Sequence, residues 1–148
     1  MSPNRDFVGR VYRSDEPYLV GREKLREFAT AVGIKHQACH NVAAAQALGY
    51  PDIIAAPTFA VVVAQRAEAQ YVGDPAAGID FDRVVHAEEA FSHNRPIVAG
   101  DELSTALEVV SLTERAGLAT ITTQVDITDS SGAPVAQVKS VLALGGAR

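Results

Sequence analysis

The chain has little of what several protein classes require. A single cysteine, Cys39, excludes an internal disulfide and suits a reducing compartment, so a cytoplasmic location is expected. No apolar run is longer than Phe59–Ala64, far below the ~18 residues of a membrane-spanning helix, so no membrane association is expected. Basic residues are few: 13 Lys and Arg stand against 18 Asp and Glu, a net charge of -5, without the cationic face that nucleic acid would require. The opening residues MSPNRDF contain no apolar core of a signal peptide. Repeats, low-complexity tracts and linkers are also missing, so residues 1–148 are expected to form one domain.

What is present centres on IIAAPTFAVVVAQRAEAQYV, Ile53–Val72. Pro57 at its start and Gly73 just beyond its end bracket a helix over Pro57–Val72. Its first turns are apolar on every side, which predicts burial all round, including Val62. From Arg83 the hydrophobic period changes from helical to two. His86 then shares a face with Glu88, while Ile121, Thr123, Val125 and Ile127 make the clearest alternation. Upstream, Asp6–Tyr12 and Pro17–Val20 read as short extended pieces. Arg22–Gly33 reads as an amphipathic helix with Leu25, Phe28, Ala29 and Val32 inward, and Val42–Leu48 as a short helix capped by Asn41. The fold class that follows is α+β, a long central helix wrapped by a curved antiparallel sheet.

The segments REKLREFATAVG, ALGYPDIIAAPTF and VVHAEEAFSHNRPIVAGDEL, within a match over roughly residues 5–145, resemble the MaoC-like hotdog-fold hydratases and dehydratases. They are most similar to the fatty-acid-synthase-type dehydratase N-terminal branch, which includes the accessory subunit of mycobacterial (3R)-hydroxyacyl-ACP dehydratases. The resemblance implies a single hotdog fold, an acyl-CoA or acyl-ACP ligand, no cofactor, and pairing as a homodimer or as a heterodimer with a catalytic hotdog subunit. In competent members an Asp and, five residues later, a His act on the 3-hydroxyacyl or 2-enoyl thioester. A backbone N–H at the start of the long helix holds the thioester oxygen. In a gap-free register these three positions fall on Ile34, Cys39 and Pro57, none of which supplies the group required.

The catalytic residues are therefore left unassigned, with His40 or His36 as candidates if the loop is displaced. Both also read as polar loop histidines. Ala56, Pro57, Thr58, Phe59, Val62 and His86 are the expected acyl-binding residues, His86 reading equally as a structural histidine. Glu68, in the polar half of the long helix, reads as a solvated carboxylate. Asp101 reads as turn chemistry. A metal site at His36, Cys39 and His40 lacks a fourth ligand, so none is expected. Three functions stay open: an accessory acyl-binding subunit, an active homodimeric (R)-specific hydratase or dehydratase, and a non-enzymatic ligand-binding or scaffold protein.

Overall fold

The computed structural model describes residues 2–145, in which six antiparallel strands pack around one long helix. In chain order these are β1 (Val11–Arg13), β2 (Tyr18–Leu19), α1 (Arg22–Ala31), α2 (Val42–Ala47), α3 (Ala60–Val72), β3 (Val84–His93), β4 (Glu102–Arg115), β5 (Leu118–Thr128) and β6 (Pro134–Gly145). The strand order is β1-β4-β5-β6-β3, with β2 also paired to β4. Among the described residues, strand β3 pairs only with β6 and forms one edge of the sheet. Helix α3 packs against β1, β4, β5 and β6. The core lies between them: Ala60, Val63, Ala64 and Ala67 from the helix meet Leu107, Ile121, Val125, Ile127, Val138 and Leu142 from the sheet.

The central helix ends at Val72 as its Gly73 stop requires, but its start is a 3-10 turn, Pro57–Phe59, that leads into α3. Burial all round is corrected. Val61 and Val62 are half-buried, because the concave sheet encloses only the face carrying Val63, Ala64 and Ala67. On α1, Leu25 and Ala29 are buried and Phe28 packs on Phe59. Val32, expected inward, lies past the helix end and is exposed. Asn41 caps α2 as expected, its side-chain oxygen accepting from Ala44 N at 2.9 Å. The expected extended piece Asp6–Tyr12 instead begins with a 3-10 turn, Arg5–Phe7, whose cap is Asn4.

Two β-bulges reassign faces that simple alternation gets wrong. In β3 the register with β6 slips between His86 and Glu88, leaving Ala87 unpaired. An extra residue in one strand inverts the parity of everything after it. His86 therefore sits beside Glu89, not beside Glu88 as expected. A second slip, between Val109 and Ser111 in β4, moves burial from the odd series Leu103–Val109 to Leu112.

Tyr71 is fully buried on α3, its ring against Phe7 and Tyr12. Burial pushes its phenol up to about 12, and among the described residues its hydroxyl has no hydrogen-bond partner. A buried polar group without a partner costs free energy that an apolar replacement of the same shape recovers. Tyr71→Phe is therefore expected to raise stability by about 1 kcal/mol, or a Tm gain of roughly 2–4 °C at this chain length. A lower melting temperature would mean that the hydroxyl is satisfied.

Candidate functional site

A cavity of about 630 Å³ opens between the loop after α1, the start of the long helix and the end of β3. Backbone hydrogen bonds build it. Ile54 N donates to Ala38 O at 3.0 Å, Ala55 N to Ile97 O at 2.7 Å and Ala99 N to Ile53 O at 2.9 Å. The three segments are thereby tied into one wall. Its lining is mainly apolar, with Ile34, Cys39, Leu48, Ile54, Ala56 and Pro57 among the contributors.

The cavity carries few groups able to move a proton. Cys39 is buried, and that burial pushes its thiol above the usual range, so it stays protonated at neutral pH and is a poor nucleophile. His36 Nδ1 accepts from Ala38 N at 3.2 Å, which puts the neutral ring's proton on Nε2. His93 makes the opposite choice. Its Nε2 lies 2.8 Å from Pro57 O, an acceptor only, so Nε2 donates and Nδ1 is left as the basic nitrogen. Its ring stacks on Phe91 at a centroid separation of 6.5 Å. Among the described residues, no hydrogen bond or ion pair joins His36 or His93 to a carboxylate that could orient or charge it.

Arg95 also lines the cavity, yet its charge is already committed. Its guanidinium bonds both oxygens of Asp101, at 2.8 and 3.0 Å, and reaches Asp129 at 3.4 Å. Asp101, the first of these partners, raises the Arg95 pKa further above its ordinary value. Asp101 also accepts from Val98 N at 2.9 Å, so it combines the expected turn role with a clamp on Arg95. Ser131 and the adjoining turn amides hold the Asp129 carboxyl below the usual range. The cluster ties the wall together and commits the Arg95 charge to two carboxylates.

The expected site residues divide. Ile34, Cys39, His36, Ala56 and Pro57 all face this cavity. His40 does not line it: its Nε2 is tied to Ile34 O at 2.7 Å and its ring borders a separate surface hollow with Lys35 and Gln37. Thr58 and Val62 are also outside the lining. Phe59 is corrected from a binding residue to a core residue, fully buried with its ring between Tyr18 and Phe28. His86 lies in a different cavity, against Glu68. His93 and Arg95 are what sequence reasoning missed. The signal was the SHNRP stretch, where a strand ends beside a proline and its polar side chains gather at one rim.

Comparison with known proteins places the geometry. A family model described as FAS1-like, dehydratase domain region, matches residues 6–138. The UPF0336 protein of Saccharopolyspora erythraea is 44% identical over 146 residues, spanning 99% of this chain and 94% of that protein. A UPF0336 protein of Clavibacter michiganensis is also 44% identical over 146 residues, spanning 99% of this chain and 98% of its own. Among solved structures, the C-terminally truncated HadBC (3R-hydroxyacyl-ACP dehydratase) complex of Mycobacterium tuberculosis superposes with a TM-score of 0.84 at 30% identity, covering 93% of this chain and 97% of that one. A MaoC-like dehydratase gives 0.87 at 37% identity, covering 95% of this chain but 43% of that longer chain.

Proposed function

Because this chain belongs to the FAS1-like dehydratase domain region family and has the MaoC-like hotdog fold, we propose that it binds acyl thioesters as the accessory subunit of a (3R)-hydroxyacyl-ACP or -CoA dehydratase in fatty-acid metabolism. The observation that carries this reading is the position of Ile34 and Cys39. Both line the apolar cavity, and the family resemblance puts its Asp and His on these two positions, yet one is a hydrocarbon and the other a protonated thiol. Pro57, at the oxyanion position, has no N–H to offer. A cavity of this volume and apolar lining suits an acyl chain.

The acid, base and oxyanion donor would then come from a second hotdog chain. Three features support pairing. Among the described residues strand β3 leaves one edge without a partner, Val61 and Val62 are only half-buried, and Phe81 is 72% exposed. The HadBC structure, itself a complex, is consistent with such an arrangement. A cytoplasmic setting belongs to the same reading; among the described residues no helix is long and apolar enough to cross a membrane.

One alternative is favoured by a specific observation: His36 and His93 line the cavity with complementary tautomers, a donor and an acceptor, so a homodimer could use them as an acid–base pair. Hydration of short and long trans-2-enoyl thioesters separates the two. The accessory reading expects the purified chain to bind the acyl thioesters but to turn them over only when a catalytic hotdog subunit is added. Robust hydration by the chain alone, abolished by His36→Ala, His93→Ala or His40→Ala, would establish the alternative. Failure to bind any acyl thioester would favour a scaffold role.

A further inference from the structure

Farther along α3, in a cavity distinct from the acyl cavity at its entry, three ligand-type side chains converge. Glu68 is buried at 4% exposure and bridges helix to sheet, correcting the expected solvated carboxylate. It follows Ala60, Ala64 and Ala67 on the enclosed face of the helix, so its side chain enters the core. Thr123 Oγ1 donates to Glu68 Oε1 at 3.1 Å, while Glu68 Oε2 faces His86 Nε2 at 3.1 Å. Glu89 is arranged in the same way. Ser140 Oγ donates to its Oε2 at 2.8 Å, and its Oε1 lies 3.8 Å from His86 Nε2.

Each carboxylate thus has one oxygen pinned by a sheet hydroxyl and the other directed at a single imidazole nitrogen. The three donor atoms lie within 4.8 Å of one another. Glu89 Oε1 is itself buried and has no hydrogen-bond partner among the described residues, an independent sign that something is needed there. A divalent ion between the two carboxylates would offset the charge that they bring into this partly buried place.

We propose that Glu68 Oε2, His86 Nε2 and Glu89 Oε1 bind a divalent transition-metal ion of the zinc class, with Thr123 and Ser140 orienting the two carboxylates. One imidazole and two carboxylates form a donor set that zinc and its first-row neighbours accept. Metal–ligand distances of about 2.0–2.2 Å put neighbouring donors roughly 3–3.5 Å apart, close to the spacings of 3.1 and 3.8 Å found here. Hydroxyls that hold a ligand's second oxygen are the usual outer support of such a site. Glu68 and His86 also line an apolar groove of about 440 Å³ together with Val72, Phe81, Val84 and Leu142. Only the Ala87 bulge makes the site possible, because it brings Glu89 onto the His86 side of the strand.

Calorimetric titration of the chelator-stripped full chain with Zn²⁺, and optical titration with Co²⁺, test this. The expected result is one ion per chain and a rise in melting temperature. His86→Gln and Glu89→Gln should each weaken binding at least 10- to 100-fold, and Thr123→Val about 10-fold. Glu89 is the least buried of the two carboxylates, so Glu89→Gln keeps the test open if Glu68→Gln fails to fold. Stoichiometric binding unchanged in both His86→Gln and Glu89→Gln would put the ion elsewhere and overturn the assignment. Binding no tighter than millimolar in the wild type would do the same, leaving the Glu68–His86 hydrogen bond in its place.

Discussion

A Val63→Asp chain is expected not to fold. Val63 is 1% exposed on the enclosed face of α3, among the helix and sheet residues of the core. The substituted carboxylate would have no partner there, and desolvating it costs several kcal/mol, or forces its protonation. Domains of this kind are stable by about 5–15 kcal/mol in total, so that loss plus the lost valine packing removes most or all of the margin. Val62→Asp is the control one residue away. Val62 is half-buried and packs only against the margin of the core, so about 1–2 kcal/mol is expected, with a cooperative melt retained. Circular dichroism melts of both variants decide the matter. Equal loss at the two positions would show that both faces of the helix are covered, as they are if a partner encloses Val62 even in the purified protein.

The second large effect runs in the opposite direction. If the cavity is a hotdog acyl site that lacks its reacting groups, restoring them should restore turnover. Ile34→Asp and Cys39→His supply the missing carboxylate and imidazole from positions that already line the cavity, and Pro57→Gly supplies an N–H at the helix entry. Pro57 O keeps its bond to His93 in that variant, because only the side chain and the amide nitrogen change. A positioned acid or base contributes about 10²–10⁴ in rate and an oxyanion donor about 10²–10³. Groups in one site act together and not additively, so the triple variant should exceed wild-type enoyl hydration by at least ~10², while each single substitution gains little. Its melting temperature must be checked first, since histidine is larger than the buried Cys39 that it replaces. A folded, acyl-binding triple variant with wild-type turnover would show that these positions are not the seats of the chemistry.

Much of this molecule is legible in its sequence. The helix bracketed by Pro57 and Gly73 ends at Val72, Asn41 caps α2, and the alternation Ile121–Ile127 is the buried face of β5. These are local matters: capping, a turn residue and a period of two each act over a few neighbours, so composition and spacing determine them. That Ile34, Cys39 and Pro57 offer no carboxylate, imidazole or N–H is equally readable, since it is a question of which side chain is present. Nearness between distant segments is not. Alternation continues through Val84–His93 in the sequence, and only pairing with β6 reveals that Ala87 is an extra residue that turns Glu89 toward His86. His93 reaches Pro57 because β3 ends at the helix entry, which depends on the crossing of sheet and helix. Glu68 lies between. Its spacing from Ala60, Ala64 and Tyr71 already puts it on the inward stripe, but a carboxylate inside is tolerable only with partners. Those partners, Thr123 and His86, come from β5 and β3, which the chain reaches 55 and 18 residues later. Helical periodicity can place a side chain on a face; tertiary structure alone supplies the hydroxyl and imidazole that allow a charged group to stay there.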